Sequence, residues 1–116
     1  MRGDGGRVEQ VFAAWLSSQG WQVRRQVGYM DVVAERNGQR LVAEVKGRTG
    51  SPGLDVDTLF GQLLRRMAGG DDSTRYAVVV PAGRSLTAVE RVHPDVRRAL
   101  RLEVYAVTDE DEVTQH

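Results

Sequence analysis

Cysteine is absent from this 116-residue chain, which excludes a disulfide framework and any thiolate metal site. No apolar run approaches the ~20 residues that span a bilayer, and no signal-peptide apolar core follows the first methionine. A cytoplasmic location without membrane attachment is therefore expected. Net charge is also missing: 16 basic residues balance 16 acidic ones, which argues against a strongly electrostatic nucleic-acid binder. The balance is uneven along the chain, because four acids fall in the run DEDE at 109–112. A body over 1–108 that is mildly basic, followed by an acidic, solvated tail over 109–116, is expected. Lysine is the scarcest charge. Lys46 stands against 15 arginines, and lysine differs from arginine in having a pKa that its surroundings can shift. The two histidines, His93 before a proline and terminal His116, make poor catalytic candidates.

The residues present, 41% hydrophobic and 28% charged, suit one compact domain with a single core. Apolar residues Val8, Val11, Phe12, Trp15 and Leu16 recur at helical spacing over 7–19, and Gly20 ends the pattern. Strands are expected over 21–27, 29–36 and 39–46, with Gly28 as a bend and Asn37-Gly38 as a hairpin turn. A loop covers 47–53. A helix over 55–67, capped by Asp55 or Asp57, carries the stripe Leu59, Phe60, Leu63, Leu64 and Met67. After a loop at GGDDST, the run YAVVV at 76–80 reads as a central strand covered on both faces. Thr87 and Glu90 form a capping-box pattern for a helix that His93-Pro94 interrupts, PDVRRAL restarts it, and EVYAV at 103–107 is a last strand. The order αβββαβαβ gives an α/β fold with a mixed β-sheet flanked by helices.

The stretch LVAEVKG, 41–47, sets Glu44 and Lys46 into an otherwise apolar strand, where unpaired charge is costly. A two-residue turn at Asn37-Gly38 makes facing residue numbers sum to 75. Glu35 then faces Arg40 as a cross-strand ion pair, Val33 faces Val42, and Asp31 faces Glu44, with Lys46 on the same side. Facing carboxylates about 5 Å apart at Cβ repel and weaken a sheet. A divalent cation reverses that effect, since it takes oxygen ligands, and a neighbouring lysine can then serve a phosphate ester or an attacking water. A plain surface triad of Asp31, Glu44 and Lys46 is the competing reading.

Asp31, with Glu44-Val45-Lys46 beginning thirteen positions later on a hairpin and an acid in the preceding helix, resembles the PD-(D/E)XK nuclease superfamily. That superfamily includes restriction endonucleases, Holliday junction resolvases and Mrr-like enzymes. The resemblance covers roughly residues 7–67 and includes the restriction-endonuclease-like αβββαβ core order. Met30 departs from it, standing where the motif has proline. The resemblance implies a metal-dependent DNA endonuclease, with Asp31 and Glu44 binding Mg²⁺ or Mn²⁺ and Lys46 catalytic. Glu9 matches the extra metal-binding glutamate that many members carry, with a plain helix-face acid as the competing reading. Gln62 matches a glutamine found in the following helix of some members, though it could simply bond backbone. Arg48, Arg65 and Arg66 are candidate phosphate contacts; on a helix such charges are more often the wet face. The chain is short for a separate recognition domain. Action on duplex or branched DNA would rest on backbone contacts and a homodimer, as in the small resolvases. An inert nuclease-fold module that binds DNA or a protein partner is the alternative.

Overall fold

The computed structural model describes residues 5–48, 50–67 and 72–116. Ten elements run in the order α1 (Gly5–Ser18), β1 (Gln22–Val27), β2 (Met30–Arg36), β3 (Gln39–Val45), α2 (Pro52–Arg66), β4 (Thr74–Pro81), α3 (Arg84–Glu90), α4 (Pro94–Ala99), β5 (Leu102–Val107) and β6 (Val113–Gln115). The strands form a mixed six-stranded sheet in sequential order. Its first three strands are an antiparallel meander, β3, β4 and β5 are parallel, and β6 returns antiparallel to β5. The α/β class and the mixed, helix-flanked sheet expected from the sequence are present.

Register follows from one turn. Asn37 and Gly38 both adopt positive φ, 53° and 79°, the conformation that a tight hairpin requires. Val32 through Arg36 consequently face Ala43 through Gln39. Alternation then divides the sheet into two apolar faces. Val32, Ala34, Leu41, Ala43, Ala77 and Val79 pack under α1 through Val8, Phe12 and Leu16. Val42, Val78 and Val80 pack under α2 and α3 through Val56, Leu59, Leu63 and Val89. The β4 run Tyr76–Pro81 is buried throughout, as a central strand covered on both sides must be. Phe12 anchors the α1 face, its ring 5.1 Å from that of Tyr105 and 5.9 Å from that of Trp15.

Several expectations are corrected. Gly5 and Gly6 are helical rather than part of a frayed start, while residues 1–4 lie outside the described set. So do residues 68–71, which include the first half of the expected GGDDST loop, and Thr49. α2 starts at Pro52, before either aspartate, because proline suits a first helical turn where no N–H partner is needed. Thr87 lies within α3, its hydroxyl donating to the Gly83 carbonyl at 3.1 Å, so it caps nothing. His93 instead caps α4, with Nδ1 accepting from the Asp95 N–H. Glu35 faces Arg40 but its carboxylate pairs with Arg24 on β1, 3.4 Å away. The segment after Thr108 is not simply a solvated tail, because Val113–Gln115 adds strand β6 to the sheet edge. Its acids are used as well: Asp111 pairs with Arg7 and Asp109 with Arg48.

Truncation at the best-packed aromatic position tests this core. Phe12→Ala is expected to cost about 3–5 kcal/mol in urea unfolding, with the slope unchanged.

Candidate functional site

The chemistry-bearing residues gather where β2 begins and β3 ends. The hydrogen-bonded ladder between these strands stops at Val32 and Ala43, and the same register sets Asp31 opposite Glu44. In place of another ladder bond, Asp31 Oδ2 accepts the Val45 N–H at 2.8 Å. One strand's side chain thus ties down the other strand's end. On the other flank the β1–β2 register sets Gln26 opposite Asp31, and Gln26 adopts a left-handed φ of 54°. A non-glycine residue there costs about 1–2 kcal/mol, so the bend is held by its contacts. Those contacts are a side-chain hydrogen bond to Asp31 and a 2.7 Å bond to Glu9.

Neither of the facing acids is comfortable as an anion. Glu44 is 3% exposed. Burial raises its pKa first and the Asp31 charge second, against smaller lowering by Arg66 and the Asp31 N–H. Burial likewise raises Asp31, aided by the Glu9 charge, while the Val45 and Gln26 hydrogen bonds and Arg66 act against the shift. Glu44 Oε2 is buried and accepts no hydrogen bond. Arg66 Nε is buried and donates none. The two atoms face each other at 3.8 Å, within ion-pair range and beyond hydrogen-bonding range. A buried polar atom left in that condition costs about 1–3 kcal/mol.

The expected residues are distributed as follows. Asp31, Glu44 and Arg66 come together directly. Lys46 follows β3, half-buried, with its backbone N–H bonded to the Val79 carbonyl at 2.9 Å. No carboxylate lies within ion-pair distance of its ammonium group among the described residues. Gln62 lies half-buried on α2, one turn before Arg66. Glu9, 7% exposed, projects from α1 but is already held by Arg25 Nε at 2.6 Å as well as by Gln26. The expected three-carboxylate centre is therefore not assembled: among the described residues no group of three acidic, histidine or cysteine side chains is placed to hold one ion. Glu9 acts on Asp31 through its charge and through Gln26.

Of the expected phosphate contacts, Arg48 points to Asp109, Arg65 is exposed on α2, and Arg66 is the counter-charge of Glu44. Sequence reasoning did not find the parts played by Arg25 and Gln26. A glutamine two residues before a glycine bend carries no signal for a left-handed backbone.

Asp31 and Glu44 fit a divalent cation by their chemistry. They supply hard oxygen ligands from adjacent strand ends, both are destabilised as bare anions, and one buried oxygen accepts no hydrogen bond.

No known protein-family profile matches the chain, and no curated protein matches it. Among solved structures it is similar to an XisH family protein from Nostoc punctiforme PCC 73102, 22% identical, with a TM-score of 0.64 over 93% of this chain and 96% of that one. It is similar too to an fdxN element excision controlling factor protein from Anabaena variabilis, 19% identical, with a TM-score of 0.64 over 93% and 95% of the two chains. The likeness is one of fold.

A carboxyl with a raised folded-state pKa lets the folded protein bind an extra proton, so stability falls as pH rises from near 4 through the raised value. Asp31→Asn and Glu44→Gln remove that penalty. Each is expected to melt a few degrees higher than the parent at pH 8, and the gain should vanish toward pH 4.

Proposed function

We propose that this chain is a metal-dependent nuclease that hydrolyses phosphodiester bonds in DNA. The observation that carries the proposal is the facing pair Asp31 and Glu44, raised in pKa and left with a buried oxygen that accepts no hydrogen bond, with Lys46 directly after the end of β3. An ordinary structural ion cluster satisfies its members. This one leaves Glu44 Oε2 and Arg66 Nε open, which is how a group completed by a ligand behaves. The name of one structural neighbour speaks of controlling element excision, which agrees with a DNA substrate.

Asp31 and Glu44 would hold Mg²⁺ or Mn²⁺, which when bound neutralises phosphate charge and acidifies water. The chain's own residues do the rest. The Val45 N–H and the Gln26 side chain fix the Asp31 carboxylate in direction, so it is oriented in advance. Lys46, without an acid partner among the described residues, keeps its ammonium protons to position the incoming water or to stabilise the non-bridging oxygens of the pentacoordinate phosphorane. Water oxygen bonds to phosphorus, the ester P–O bond breaks, and a proton passes to the departing alkoxide. Arg66, once Glu44 no longer needs its charge, can turn its guanidinium to a phosphate oxygen. Gln62, one turn before it, would orient that group. Cutting both strands of a duplex would call for a second copy of the chain.

A second reading, an inert nuclease-fold module binding DNA or a protein partner, is favoured by one observation. Arg25 and Gln26 hold Glu9, and Arg66 partly neutralises Glu44, so the acids have internal counter-charges.

Two measurements separate these readings. Magnesium at about one hundred times its dissociation constant is expected to stabilise the parent by ~2.7 kcal/mol. That shift should disappear in Glu44→Gln. Cleavage of duplex, single-stranded and four-way-junction DNA should require Mg²⁺ or Mn²⁺ and fall at least ~100-fold in Asp31→Ala and Lys46→Ala. A folded parent that neither shifts nor cleaves is the inert module.

A further inference from the structure

Tyr29 breaks the pattern set by the other aromatic side chains. Phe12, Trp21, Phe60, Tyr76 and Tyr105 are buried and Trp15 is partly buried against the α1 core, whereas Tyr29 is 87% exposed. It sits at the tip of the β1–β2 turn, after Gly28 at φ 61°. Yet the residue is held in place. Arg66 Nη2 donates to the Tyr29 carbonyl at 2.8 Å, and the same guanidinium lies 5.9 Å from the centre of the Tyr29 ring. Through that one guanidinium the exposed ring is coupled to Glu44, 3.8 Å from Arg66 Nε. Continuing the hairpin register also sets Tyr29 opposite Lys46. An aromatic ring with a fixed backbone, a cation on one side and solvent on the other costs apolar exposure in the free protein.

We propose that Tyr29 is a stacking platform for one unpaired nucleobase of a strand whose phosphate lies at the Asp31–Glu44–Lys46 site. The location rests on the hydrolytic reading; the stacking itself does not. Only a base without a stacked neighbour has a free π-face to offer, so the favoured substrate is single-stranded DNA or an unpaired junction, flap or end. A protein partner would need an apolar pocket around the ring to desolvate it. What adjoins the Tyr29 ring instead is cationic: the Arg66 guanidinium lies 5.9 Å from its centre, and the continued register sets Lys46 opposite.

The test uses the full chain and a fluorescein-labelled oligonucleotide carrying 2-aminopurine, as a single strand and as a duplex. The parent is expected to bind the single strand more tightly and to quench the 2-aminopurine. Tyr29→Phe and Tyr29→Trp should retain both properties. Tyr29→Ala should bind the single strand about tenfold more weakly, lose the quenching and leave duplex affinity unchanged. Its melting temperature should match the parent's, because the side chain packs against little. A parent that ignores single strands, a Tyr29→Ala variant that binds them as the parent does, or an equal loss on duplex would each overturn the platform. Magnesium-dependent cleavage alongside any of those results leaves the hydrolytic reading standing. Intact stacking without cleavage by the parent removes the hydrolytic reading and keeps the platform.

Discussion

Asp31 and Glu44 face each other at neighbouring strand ends, where like charges oppose folding, and the surrounding contacts are arranged around that repulsion. The Val45 N–H and Gln26 restrain Asp31, Arg66 partly balances Glu44, and Arg25 balances Glu9 behind them. None of these partners removes the tension. Burial still raises both facing carboxyls, and Glu44 Oε2 and Arg66 Nε remain without a hydrogen bond. A protein that needed only a stable sheet would place valines here, as it does at Val33 and Val42. Two acids kept where they weaken the fold are the feature on which the proposed metal site rests.

The fold explains why the tension falls at this point. β3 changes partner type across its width, antiparallel to β2 and parallel to β4. Crossover helix α2 leaves its carboxyl end and returns over the same face, bringing Arg66 back to Glu44 across 22 positions of chain. In sheets with parallel strands, ligands gather beyond the carboxyl ends, and Glu44 and Lys46 lie at that end of β3. The opposite face, filled by Phe12, Trp15 and Tyr105, is an aromatic anchor that keeps α1 and hence Glu9 in position.

Much of this was legible in the residues themselves. Asn37-Gly38 fixes the hairpin register, and register alone puts Asp31 opposite Glu44, because alternation leaves no freedom once the turn is set. The uniformly apolar YAVVV announces a two-sided central strand. Other features could not be read. Strand β6 is only Val113–Gln115, too short to show alternation, and the acids before it suggest solvent. Those acids are drawn back by Arg7 and Arg48, pairings between residues 104 and 61 positions apart that no local pattern encodes. Arg66 looked like one more wet-face arginine. Its role depends on where α2 crosses β3, which is a property of packing.

The most direct test follows the two carboxyl groups themselves by carbon NMR, in the metal-free protein and again with saturating magnesium, across pH 3 to 9. Assigned through Asp31→Asn and Glu44→Gln, both should titrate above the ordinary values of 3.8 and 4.5 without metal. Both should stay ionised to markedly lower pH once magnesium is added. Ordinary titration of both groups, indifferent to magnesium, would contradict the account.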